Sequence, residues 1–493
     1  MESKGVRNKV YRGISSQTIV TVLSGVLEIS VFALMSRLLS QEDFGYYAII
    51  VAVVSVFQCL TEAGLGSAVI QRDNASKEYI STAMGLSVSL GLFFSILLFA
   101  LAKPLSLLME QGDELVAAFR LMSPTILLFS VNSVVRALFM RALDFMKYGW
   151  CQMLAYLASS AIGVIMAIRG YGVYSIIVSS IANSILLTII LFAISGVRPS
   201  IRIYKQFVRE IVSYGGWLTG SVIVRRITTE LDKFILTRWI PVAQIGAYNR
   251  PANFITRIAD QINGIYDIVL FPILSTLKDD AKQLQKSFLT AVALVSCFSI
   301  ILMAVFILGA QVIIEIFFGA EWDWLVSIFR ILSISVIFLA YSRIGDCYFR
   351  SLGLVKHYCY LRIATCVVTL LCVYVGCQYG IKGVAIGVVV SRFCDCVLKG
   401  MYLVVKMSIN FVKLLKSLLQ PTWITILLTI GCYMFVRQIE YGEYIGVFVF
   451  AIVMILLLLS APKIFGRTYY ENVYMVIKEK FFSKILSKDV VKL

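Results

Sequence analysis

Tyr214 to Pro272 reads YGGWLTGSVIVRRITTELDKFILTRWIPVAQIGAYNRPANFITRIADQINGIYDIVLFP, a run with the length of two membrane-spanning helices but too many charges for ordinary ones. It holds Arg225, Arg226, Glu230, Asp232, Lys233, Arg238, Arg250, Arg257, Asp260 and Asp267. Charge at bilayer depth is costly unless it faces water or an opposite charge, so such residues mark a pathway. Their order supports this. Arg250, Asn253, Arg257, Asp260, Gly264 and Asp267 recur at steps of three and four, the stripe of one helical face. Ser221, Arg225, Thr228, Thr229 and Asp232 form a second stripe on the preceding helix. Two such faces can enclose a polar cavity with a surplus of positive charge.

Working outward, 59% of the 493 residues are hydrophobic and 15% charged, which places the chain in the polytopic, all-α membrane class. A formal charge of +17 invites a nucleic-acid reading, yet the sequence contains no basic domain with a soluble core of its own. The 11 cysteines are scattered through apolar segments and His357 is the single histidine, so neither a disulfide framework nor a metal site is expected. No phosphate-binding loop of the G-x-x-x-x-G-K-[ST] type occurs, and no nucleotide or other cofactor is expected.

Apolar runs long enough to cross a bilayer recur from Ile14–Leu39 to Tyr444–Ala461 and number about fourteen. Placing the N-terminus in the cytoplasm puts 27 Lys and Arg in cytoplasmic segments against 4 in the opposite loops, a strong positive-inside signal. Both termini are then cytoplasmic. The run after Lys4, Arg7, Lys9 and Arg12 is longer than a signal-peptide core and is read as a retained first span.

The chain also repeats itself. Arg37-x-x-Ser40-x-x-x-x-Gly45-x-Tyr47 matches Arg238-x-x-Pro241-x-x-x-x-Gly246-x-Tyr248 at an offset of 201. Arg141-x-Leu143-x-x-x-Lys147 matches Arg350-x-Leu352-x-x-x-Lys356, and Gly172-Val173 matches Gly383-Val384. Six helices per repeat give both halves one orientation, related by a pseudo-twofold axis along the membrane normal. The expected division is an N-lobe over 1–200, an amphipathic cytoplasmic linker over 201–212 and a C-lobe over 213–406. Two further helices follow over 407–462, then an amphipathic tail over 463–493.

Several of these segments resemble a known family. Ser40-Gln-Glu-Asp-Phe44-Gly45-Tyr-Tyr47 followed by Glu62-Ala-Gly64-Leu65-Gly66-Ser67-Ala68-Val69-Ile70-Gln71 resembles the start of polysaccharide transporters. Gly170-Tyr171-Gly172-Val173-Tyr174, Leu231-Asp232-Lys233-Phe234-Ile235 and Leu270-Phe271-Pro272 fit later helices of the same proteins. The chain is similar to the Wzx-type lipopolysaccharide and exopolysaccharide flippases of the multidrug/oligosaccharidyl-lipid/polysaccharide (MOP) exporter superfamily. That resemblance implies two six-helix lobes in a V, alternating access, and export of undecaprenyl-diphosphate-linked oligosaccharides across the bacterial cytoplasmic membrane. It implies membrane lipids as neighbours, and a polysaccharide polymerase and glycosyltransferases as partners.

Arginine suits a diphosphate because its planar fork binds phosphate oxygens bidentately and keeps its charge when desolvated. The expected substrate-binding residues are Arg225, Arg257 and Arg250, then Arg226, Lys233 and Asn253, with Arg136, Arg330 and Arg343 from other helices. The competing reading has Arg257, Asp232 and Asp260 pairing to staple helices together. Gln17, Thr21, Ser24 and Glu28 on the first span, and Ser55, Gln58, Glu62 and Gly66 on the second, form polar stripes suited to a sugar-facing wall or a helix seam. Glu28, Glu62, Asp232, Asp260 and Asp267 are the candidates for carrying a coupling ion. The rival functions are a MATE-like multidrug or cation antiporter, whose pore favours acidic or apolar walls, and a membrane polysaccharide polymerase. The polymerase needs a sizeable extramembrane catalytic loop that the sequence lacks.

Overall fold

A computed structural model describes residues 20, 23–62, 65–71, 76–109, 113–142, 144–195, 201–214, 216–277 and 281–438. The expected fourteenth span, the tail over 463–493 and the polar positions Gln17 and Thr21 lie outside the described residues. Every regular element among the described residues is helical. The first half comprises α1 (23–38), α2 (Gln41–Glu62), α3 (Leu65–Gln71), α4 (Lys77–Leu108), α5 (Asp113–Met122), α6 (Pro124–Arg141), α7 (Phe145–Ile168) and α8 (Val173–Ser195). After α9 (Lys205–Tyr214) come α10 (Gly216–Trp239), α11 (Val242–Leu277), α12 (Ala281–Leu308) and α13 (Ala310–Phe317). A 3-10 turn (Ala320–Leu325) then leads to α14 (Val326–Ser351), α15 (Val355–Cys377), α16 (Gly380–Lys406) and α17 (Phe411–Gln438).

Eight candidate spans among the described residues are long and apolar enough to cross a membrane. The charged helices α10 and α11 stand outside that set, at 24 and 36 residues, because their charges and polar residues lower the hydropathy and not because they are short. Local chemistry sets several helix starts. At α2, Ser40 and Asp43 form a reciprocal capping box: the Ser40 N–H donates to Asp43 Oδ2 (3.0 Å) and the Asp43 N–H to Ser40 Oγ (3.1 Å). Ser76 Oγ accepts from the Tyr79 N–H (3.2 Å) at α4, and Pro124 opens α6, where a missing N–H costs nothing.

By its contacts the chain divides into two compact units. The first runs through Gly264 and adds Ile314–Leu332 and Gly353–Asp395; the second takes Ile265–Ile313, Ser333–Leu352 and the chain from Cys396. A core of the first unit gathers Leu65, Val69, Tyr79, Ala83, Val134, Val135, Cys151, Leu191 and Ile211, drawn from α3, α4, α6, α7, α8 and α9. The segment after α8 is thus anchored to protein. Tyr204 N–H donates to Thr82 Oγ1 (3.1 Å), Ser81 Oγ donates to the Arg202 carbonyl (2.9 Å), and Phe207 packs edge-on against Tyr79.

The repeat has a structural counterpart inside this first unit. A Cβ on Gly45 would strike the carbonyl oxygen and Cγ1 of Val242, and one on Gly246 would strike the Gln41 carbonyl and the backbone of Gly45. Adding 201 to Gln41 and Gly45 gives Val242 and Gly246, so the contact between the first turns of α2 and α11 maps onto itself. Reciprocity of this kind is what a local two-fold axis produces. Only glycine permits the approach.

Candidate functional site

Arg257 on α11 donates through Nη1 to Glu28 Oε2 on α1 at 2.6 Å. The two side chains keep 58% and 38% of their surface accessible, so the pair is not sealed in a core. Tyr156 on α7 stands within electrostatic reach of both members and Tyr47 on α2 within reach of Arg257. Tyr47 is itself held at 2.9 Å from Ser180 Oγ on α8. Arg257 is thus an open guanidinium held by one carboxylate, with two tyrosines in its electrostatic range. That is a set of groups that can take a phosphate and sugar hydroxyls.

A second pair of the same composition joins Arg136 Nη2 on α6 to Glu62 Oε1 on α2 at 2.9 Å. Its side chains are also open, at 46% and 31%, and Tyr148 on α7 lies in hydrogen-bonding reach of Arg136. Both expected ion-coupling glutamates are thus found on expected substrate arginines.

The rest of the charged stretch is arranged differently. Glu230 is buried and takes two cations from its own helix, Lys233 one turn later and Arg226 one turn earlier at 3.5 Å. Asp232 accepts from its neighbour's Lys233 N–H and from the Tyr248 hydroxyl (3.1 Å). Lys233 is therefore a buried brace within α10, and Asp232 ties α10 to α11. Arg250 is 1% exposed, its guanidinium 3.5 Å from the centre of the Phe44 ring and 3.8 Å from that of Trp322. Nη1 reaches the Ser36 carbonyl at 3.4 Å, while Nε and Nη2 meet no acceptor among the described residues. This arginine stacks the first turn of α2 and the 3-10 turn onto α11. One stripe in the sequence thus holds two arginines in opposite surroundings, Arg250 buried among rings and Arg257 open.

Arg225 and Asn253 are partly buried on α10 and α11, Arg330 is exposed on α14, and Arg343 is partly buried farther along α14, in the second unit. The side chains of Asp260 and Asp267 lie outside the described residues. Two buried ion pairs had no place in the sequence reading. In the second unit Lys399 Nζ on α16 donates to Asp346 Oδ1 (2.8 Å) and to Ser342 Oγ (2.7 Å) on α14. In the first unit Arg362 on α15 lies 3.7 Å from Asp395 on α16, which also accepts from Thr365 Oγ1 (2.8 Å). The signal available in the sequence was Asp395 and Lys399 four residues apart on one helix.

Residues 34–327 match the family described as polysaccharide biosynthesis protein. The chain belongs to that family. It is similar to the lipopolysaccharide biosynthesis protein WzxC of Escherichia coli K12, 23% identical over 332 residues that cover 67% of each chain. It is 23% identical to the succinoglycan biosynthesis transport protein ExoT of Rhizobium meliloti over 61% of each chain. A putative O-antigen transporter of Shigella flexneri is 26% identical over 80% of this chain and 96% of its own. Among solved structures, the lipid II flippase MurJ in an inward closed conformation superposes with a TM-score of 0.73 at 14% identity, covering 93% of this chain and 99% of that one. An inward-facing MATE family transporter of the MOP superfamily gives 0.65 at 16% identity over 79% and 98%. The fold is that of the MOP transporters.

Proposed function

We propose that this protein is a flippase that exports undecaprenyl-diphosphate-linked oligosaccharides across the bacterial cytoplasmic membrane by alternating access. The diphosphate is held by arginines, with Arg257 and Arg136 foremost and Arg225, Arg226 and Arg330 supporting. Fourteen spans in two six-helix lobes plus two C-terminal helices, with both termini cytoplasmic, complete the reading. The observation that carries it is the open Arg257–Glu28 pair. A guanidinium 15 residues into the 36-residue α11 is about 22 Å along the helix, near its middle, and retains more than half its surface. Charge kept accessible there serves a charged cargo. The family match and the names of its relatives support the cargo class.

The pairing alters the energetics of the cycle. With Glu28 and Glu62 on their arginines, the unloaded site carries no net charge from these residues. A two-charge head group leaving an interior that is electrically negative gains roughly 4.6 kcal/mol per 100 mV if uncompensated. The membrane potential then acts on the loaded step alone. The test is flipping of a fluorescent prenyl-diphosphate oligosaccharide in liposomes. Arg257→Ala is expected to slow it at least ten-fold, with Arg225→Ala weaker. Unchanged flipping in both variants, or robust uptake of a cationic dye by the native protein, would reject the reading.

A further inference from the structure

We propose that Glu28 and Glu62 are placeholder anions. They occupy the arginines when no cargo is bound and are displaced, one after the other, by the diphosphate. The inference rests on the reading of Arg257 and Arg136 as diphosphate ligands and assigns a task to the carboxylates opposite them.

Three features carry it. Each carboxylate meets its arginine across helices, α1 to α11 and α2 to α6, so neither pair is a by-product of spacing along one helix. Both pairs are left uncovered by protein, and in the water-facing cavity of the proposed function such a pair contributes little, because water and counter-ions solvate its members. A phosphate brings more charge and the same bidentate geometry, so it can outcompete one carboxylate without breaking a core. By contrast Glu230, which holds Lys233 in a buried pair, is not displaceable at comparable cost.

The two pairs also stand at different distances along their helices. From the shared Gly45–Gly246 contact, Arg257 is 11 residues along α11 and Glu62 is 17 residues along α2, or about 17 Å and 26 Å at 1.5 Å per residue. Cargo approaching from the far end of α2 meets Arg136 first and Arg257 second. At each stop it trades places with a glutamate, which closes back on its arginine once the cargo has passed. Neither Arg257 nor Arg136 is left unpaired in the empty protein, and release is assisted by a carboxylate waiting beside the bound phosphate.

The experiment titrates the full-length protein in lipid nanodiscs with a fluorescent geranylgeranyl diphosphate and measures flipping of the oligosaccharide lipid in liposomes. Glu28→Gln and Glu62→Gln are each expected to tighten diphosphate binding about two- to five-fold, the value of one exposed pair, while slowing flipping. The double variant tightens it about ten-fold, and Glu28→Asp returns towards native behaviour. Unchanged or weaker binding in the glutamine variants would overturn the proposal, since a carboxylate that merely orients its arginine supports binding. Arg257→Gln and Arg136→Gln separate the two levels. If they leave diphosphate affinity intact, the ligand assignment itself is wrong and the placeholder role goes with it.

Discussion

Two kinds of ion pair share this membrane chain, and their surroundings differ more than their chemistry. The Arg257–Glu28 and Arg136–Glu62 pairs expose between 31% and 58% of their side chains. Lys399–Asp346 exposes 1% and 7%, and Arg362–Asp395 exposes 9% and 10%. A sealed pair cannot let go without stranding a charge, so it fixes helices. An open pair exchanges partners at small cost, so it can serve passage. Solvent access, and not the mere presence of charge in an apolar segment, separates the two roles.

Substitutions can break or sharpen that contrast. The largest effect is expected at Asp346→Ala, which strands a buried ammonium. Stability should fall by about 3–5 kcal/mol, read as a lowered unfolding midpoint in detergent. An intermediate effect is expected at Arg250→Lys, which keeps the charge but loses the planar stack on Phe44 and Trp322. A loss of about 1–2 kcal/mol is expected by the same measurement. The smallest belongs to Glu28→Gln, within about 1 kcal/mol of native stability although flipping changes. Equal losses at Asp346 and Glu28 would erase the distinction.

Much of the fold was legible in the sequence because hydropathy and glycine placement are local signals. The offset of 201 between Gly45 and Gly246 became a reciprocal backbone contact, since both sites need a residue without Cβ. The charged stretch was legible as two helices, with Arg257 and Arg136 among the candidate substrate residues. Pairing was not. Periodicity places Arg257 on a face but carries no information about Glu28, which lies 229 residues away in sequence. Of the rival pairing, Arg257 is found on Glu28 and Asp232 on the Tyr248 hydroxyl and the Lys233 N–H, while the side chain of Asp260 lies outside the described residues. Periodicity likewise put Arg250 and Arg257 on one stripe. It could not foresee that the first turns of α11 are packed under Trp322 and Phe44. The pairing of Asp346 with Lys399 was not legible because its members come from different helices, 53 residues apart in sequence.

The most direct test is to locate the cargo's phosphates. A prenyl diphosphate with a photoreactive group beside the phosphates, activated in membranes and mapped by mass spectrometry, should label peptides around Glu28, Tyr47, Tyr156 and Arg257. Labelling confined to exposed apolar positions such as Phe93 and Ile96, with none on α1 or α11, would contradict the account.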